Sequence, residues 1–136
     1  MLLNLTDLSD EPLQSQIAKQ LRAKILAGEV PAGDVLPSIR ALARQTRVSV
    51  ITVQRGYETL EREGLIHSRR GKGFFVSKIR DHRKKEMAEE RLSSHLGPLL
   101  ADAFSEGMSA EDVRSVFRKT LKKRGKKPGS AKKPGK

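Results

Sequence analysis

The chain has 136 residues, no cysteine and no tryptophan, and its 28 Lys and Arg outweigh 16 Asp and Glu to give a formal charge of +12. This length allows one compact domain with a small appendage, too little for a large enzyme built around a closed cavity. The lack of cysteine excludes disulfides, thiolate zinc sites and cysteine catalysis, and fits a reducing, cytoplasmic setting. No apolar run approaches the roughly 20 residues of a membrane-spanning helix, and Met1-Leu2-Leu3-Asn4 lacks the basic flank and apolar stretch of a signal peptide. The expectation is a soluble protein that is not exported and has no membrane partner.

Leu13, Ile17, Leu21 and Ile25 step by four and predict a first helix from about Pro12 to Leu26, with Asp10 or Glu11 serving its N-terminus and Gly28 ending it. The segment from Glu29 to Pro37 holds two prolines and a glycine and reads as a loop. Ser38 is a good N-cap for a short second helix with Ile39, Leu42 and Ala43 on one face, ending near Gln45. After the turn Thr46-Arg47-Val48, Ser49 caps a third helix whose Val53, Tyr57 and Leu60 face inward, and Gly64 stops it. Gly56 falls on that packed side, where it costs about 1 kcal/mol relative to alanine and predicts a close helix crossing. Leu65 to Ser68 and Gly73 to Ser77 then read as a β-hairpin around the basic turn Arg69-Arg70-Gly71-Lys72.

From Ile79 the pattern is helical again. Met87, Leu92, Leu96, Leu99, Leu100, Ala103 and Phe104 give an apolar side, with an interruption or kink expected at Gly97-Pro98 and an end at Gly107. Ser109-Ala110-Glu111-Asp112 resembles a capping box and opens a last short helix carrying Val113, Val116, Phe117 and Leu121. Residues 122–136 hold eight cations and no acid, with nothing apolar larger than alanine, and should be a disordered basic tail whose partner is a polyanion. A second positive region lies in residues 38–78, where nine basic groups meet only Glu58, Glu61 and Glu63.

Helix, turn, helix and basic hairpin form a winged helix-turn-helix, and its chemistry suits double-stranded DNA. The third helix fits a major groove, its first turn meets base edges, and the wing lays cations along phosphates. With Val53, Tyr57 and Leu60 inward, Val50, Ile51, Gln54 and Arg55 stand outward, and the Ser49 and Thr52 hydroxyls are placed to bond phosphate.

Leu36-Pro37-Ser38-Ile39-Arg40, Leu42-Ala43, Val48-Ser49, Thr52-Val53, Tyr57, Leu60, Glu63-Gly64-Leu65 and Gly71-Lys72-Gly73-Phe74-Phe75-Val76 resemble the GntR family of bacterial transcription regulators. The likeness spans about residues 11–77, from Pro12-Leu13 and Gln16-Ile17 onward. It implies DNA contacts at Arg40, at Ser49, Val50, Ile51, Thr52 and Gln54 on the first turns of the third helix, and at Arg70, Gly71 and Lys72 of the wing; Ser38, Arg47 and Arg55 are further candidates for DNA contact. One position departs from the family pattern. Val50 stands where an arginine commonly reads guanine, and valine can only pack against a thymine methyl, so the operator is expected to differ from the usual one.

The expected fold class is mainly α with a small β-hairpin. Residues 1–78 form the DNA-binding domain, 79–121 a short helical dimerisation module, and 122–136 the tail. About 43 residues in the second segment are too few to enclose a metabolite pocket, and they resemble the module of the YtrA-like subfamily. The resemblance implies a homodimeric repressor on an inverted repeat, associated with the nucleoid and with transporter operons, needing no cofactor; it names no small-molecule effector. The competing reading is an architectural, nucleoid-type protein of little sequence preference. His67, His82 and His95 lack metal-ligand spacing, Gly71-Lys72-Gly73 lacks the length of a phosphate loop, and no catalytic constellation is present, so no enzyme is expected.

Overall fold

The computed structural model describes residues 2–125. The helices are α1 (Leu13–Leu26), α2 (Ile39–Thr46), α3 (Val50–Arg62), α4 (Asp81–Ser105) and α5 (Ala110–Arg124), and the strands are β1 (Ile66–Arg69) and β2 (Gly73–Val76). The chain divides into two compact units, one ending at Glu86 and the other beginning at Met87.

The first unit owns the hydrophobic core. The step-of-four stripe of α1 buries Ile17, Leu21 and Ile25, and α3 meets it with Val53, Tyr57 and Leu60, all at most 2% exposed. Leu42 of α2, Leu65, Ile66 of β1 and Val76 of β2 complete the cluster. Glycine at position 56 permits the α1–α3 approach, because a Cβ there would stand 2.9 Å from Ile17 Cγ2 and 3.4 Å from the Gln14 carbonyl oxygen. Ile17 is β-branched and fully buried, so it cannot yield cheaply. Gly56→Ala is therefore expected to lower stability by a net ~1–2 kcal/mol, the overpacking outweighing alanine's better helix propensity. A fall of several degrees in the thermal midpoint checks this.

One feature corrects the sequence reading at α1. Neither Asp10 nor Glu11 caps it; its first flanking residue is Pro12, without a side-chain cap. The preceding segment is held instead by glutamines of the helix itself. Buried Gln16 accepts from Thr6 N–H at 3.0 Å and donates to the carbonyls of Thr6 and Glu11 at 2.9 and 2.8 Å, and Gln20 makes the same two-way pair with the Asn4 backbone. A partly buried two-pronged ion pair, Arg22 to Glu63, ties α1 to the end of α3.

β1 and β2 pair antiparallel, Ile66 opposite Val76 and Arg69 opposite Gly73. The segment expected to be only a loop adds a third rung, for Gly33 N–H and Leu36 N–H donate to the Val76 and Phe74 carbonyls and Val76 N–H returns to Asp34.

In the second unit the sequence reading needs two further corrections. α4 runs uninterrupted through Gly97 and Pro98, although proline removes one helical N–H donor. The last helix continues to Arg124, so Lys122, Lys123 and Arg124 belong to α5, where cations favour the carbonyl end of the helix dipole. The remainder of the expected disordered tail, residues 126–136, lies outside the described residues. The Ser109–Asp112 capping box is complete, and accepting the Ser109 backbone and hydroxyl hydrogen bonds holds the Asp112 carboxyl below the usual carboxylate range. That contribution is present at neutral pH and fades as pH falls through the lowered value. Among the described residues, neither the Met87–Ser105 part of α4 nor α5 buries a side chain.

Candidate nucleic-acid interface

Ser38 starts α2 by accepting the Ala41 N–H at 3.0 Å, which fixes the backbone immediately before the exposed Arg40. Arg47 ends α2 in the left-handed region at φ 60°, the one non-glycine there among the described residues. Val48 N–H reaches back to the Ala43 carbonyl and closes the turn. Glycine would adopt this conformation at less cost.

Ser49 caps α3. Its hydroxyl accepts the Thr52 N–H at 3.0 Å and lies 2.8 Å from Thr52 Oγ1, so both hydroxyls are engaged first in forming the helix N-terminus. The first turns of α3 present Val50 and Ile51, 44% and 56% exposed, followed by exposed Gln54 and Arg55. A β-branched apolar pair about half exposed at a helix start lies outside the buried core. It offers methyl-sized contacts to an apolar group, while Gln54 offers a donor and an acceptor.

The wing tip is exposed at Arg70, Gly71 and Lys72. Lys72 N–H donates to the Arg69 carbonyl at 2.9 Å, and Gly71 takes φ 73°, the sign a type II turn requires at its third position. On the outer face of the hairpin Arg69 lies over Phe75, 5.1 Å from the ring centroid, and His67 stacks on the same ring while bonding Ser77.

Tyr57 joins α2, α3 and the wing. Its hydroxyl donates to the Pro37 carbonyl at 2.7 Å, just before the α2 cap, and Phe74 of β2 meets its ring edge-on at 5.0 Å. Burial pushes the phenol well above its ordinary range, so it remains a donor at any physiological pH. The sequence placed Tyr57 in the core but gave no sign of this hydrogen bond.

Sequence reasoning also passed over Glu58. Gln54 Nε2 donates to Glu58 Oε2 at 3.1 Å, one helical turn apart on the solvent side of α3. The i, i+4 spacing of amide and carboxylate was the available signal.

Residues 13–76 match the family described as bacterial regulatory proteins, gntR family. The chain is 33% identical over 108 residues to the HTH-type transcriptional repressor YtrA of Bacillus subtilis, an alignment covering 77% of this chain and 81% of that protein. It belongs to the GntR family. Among solved structures, a GntR family transcriptional regulator from Listeria monocytogenes superposes with a TM-score of 0.69 at 25% identity, covering 82% of this chain and 96% of that one. YtrA from Sulfolobus acidocaldarius, a GntR-family transcription factor, gives 0.55 at 30% identity, over 69% and 99% of the two chains. These relatives are transcription regulators and not enzymes, so the GntR assignment carries DNA binding and the winged-helix fold with it. No described helix is long and apolar enough to cross a membrane.

Proposed function

We propose that this GntR-family protein is a sequence-specific repressor that binds an inverted-repeat operator as a homodimer and acts by occluding a promoter, in the cytoplasm and at the nucleoid. The carrying observation is the solvent-facing start of α3, where Val50, Ile51, Gln54 and Arg55 are exposed, as are the cations of α2 that precede them in the chain and those of the wing that follow. α3 enters the major groove, Ser38, Arg47, Ser49 and Thr52 position it on the backbone with Arg70, Gly71 and Lys72, and Arg40 reaches a guanine edge or a phosphate from the start of α2. Arginine held at φ 60° in the turn, where glycine would be easier, supports a use for its side chain at the interface. The repressor name of the Bacillus relative supports the direction of regulation, and the resemblance of the sequence to the YtrA-like subfamily implies a transporter operon as the target class to examine.

Homodimerisation rests on the second unit. Leu92, Leu99, Phe104, Val116, Phe117 and Leu121 are each about half exposed or more, whereas helices in proteins draw most of their stability from packing an apolar face. A second copy supplies the missing core and places two readers on two half-sites.

The reading is tested by competition titration at physiological salt. A regulator should favour its operator over random duplex by about 10³ or more, whereas near-equal affinities would instead favour an architectural protein carried by the +12 charge.

Two substitutions resolve the contacts. Arg40→Ala should weaken operator binding by about 1–3 kcal/mol with an unchanged unfolding midpoint, measured by fluorescence anisotropy. Val50→Arg should shift preference toward guanine at one symmetric position in each half-site, read by sequencing selected duplexes.

A further inference from the structure

We propose that Glu58 is a positioning residue for base reading, holding the Gln54 amide so that its free edge is matched to adenine. The inference rests on the reading of α3 as the major-groove helix and adds which base it selects and through which pair of residues. Both side chains are exposed, and Gln54 Nε2 donates to Glu58 Oε2 at 3.1 Å.

A primary amide has two N–H groups and one carbonyl oxygen, and it can turn over with little change in shape. A carboxylate beside it removes that freedom, because the turned-over amide would bring its oxygen against a negatively charged oxygen. Glu58 therefore fixes the nitrogen toward itself. When the carboxylate takes the Nε2 proton that lies away from Oε1, the second proton and that oxygen stay free together on one edge. This remaining donor and acceptor are the pair that meets adenine N7 and N6–H in the major groove. A glutamine free to turn over would discriminate less well.

An acidic side chain on a DNA-facing helix has an electrostatic cost, since Glu58 is repelled by every phosphate regardless of sequence. Weaker binding to all duplexes combined with a fixed amide is a trade of affinity for specificity. Removing the carboxylate should accordingly have two separable effects, tighter binding to random duplex and poorer discrimination at one base pair.

The experiment uses the full chain and a random duplex pool, with wild type, Glu58→Ala, Gln54→Ala and the double variant compared at one salt concentration. Wild type should enrich adenine at one symmetric position per half-site by about fivefold or more, the range of a good bidentate contact. Glu58→Ala should lose most of that enrichment at that position alone while binding random duplex more tightly, and the double variant should match Gln54→Ala there. A Glu58→Ala protein that keeps full adenine preference overturns the proposal but leaves the α3 reading standing. Gln54→Ala without effect at any position also overturns it. A wild-type protein that enriches no sequence overturns the α3 reading itself. The Gln54 side-chain amide resonances in the DNA-free protein supply an independent check, because Glu58→Ala should shift them, and unmoved resonances would rule out the contact.

Discussion

Replacing both Leu99 and Phe117 by aspartate is expected to leave a monomer with a folded DNA-binding unit and at least a hundredfold lower operator affinity. Leu99 is 62% exposed and Phe117 47% in the single chain, although burying such side chains contributes about 1.5–3 kcal/mol each. An aspartate in an apolar interface must instead lose its hydration or drive the surfaces apart. Two readers joined in one dimer bind their half-sites at millimolar effective concentration, which raises affinity by about 10²–10⁴ over either reader alone, and that factor is what the substitutions remove. The core of the first unit, with Ile17, Leu21, Val53, Tyr57 and Leu60, contains neither position. Sedimentation should therefore report a dimer for the wild type and a monomer for the variant, with the winged-helix unit folded in both. A wild-type chain that is already monomeric at micromolar concentration would contradict the dimer.

The largest single-residue effect on the fold should come from Tyr57. Tyr57→Ala removes a fully buried ring from the junction of α2, α3 and β2 and is expected to cost about 3–5 kcal/mol, enough to unfold a marginal domain. Tyr57→Phe separates packing from hydrogen bonding. It keeps the edge-on contact with Phe74 but deprives the Pro37 carbonyl of its donor, for an expected loss of about 1–2 kcal/mol. Denaturant titration gives both values. Operator affinity measured on folded Tyr57→Phe then shows whether the hydrogen bond also sets the angle at which α2 presents Arg40.

Tyr57 also marks how far the sequence could be read. Its place in the core followed from the spacing with Val53 and Leu60, because a helix with one buried face writes its period into the chain. The serines at 38, 49 and 109 were legible for a similar reason, since each fills a local need of the helix that follows. The 33–36 segment was not legible as a sheet rung. Prolines at 31 and 37 break the pattern around it, and its pairing depends on a partner some forty residues away. The continuation of α4 through Pro98 was hidden too, because a proline costs one hydrogen bond while a helix already formed on both sides can absorb it.

At the interface, the exposed residues of α3 could be inferred by elimination from its buried ones. Glu58 could not be recognised by composition, where it counted merely as one acid offsetting nearby cations. The i, i+4 spacing allowed a bond to Gln54, and the structure shows it formed between successive turns of the outward face.

Selection of bound sequences from a random duplex pool by the 136-residue wild-type chain tests most directly whether α3 reads bases in a dimer of readers. The predicted result is an enriched inverted repeat whose half-sites lie about 10–10.5 base pairs apart, centre to centre, or a whole-turn multiple of that. An unchanged pool after repeated selection, or a single asymmetric site, would contradict it.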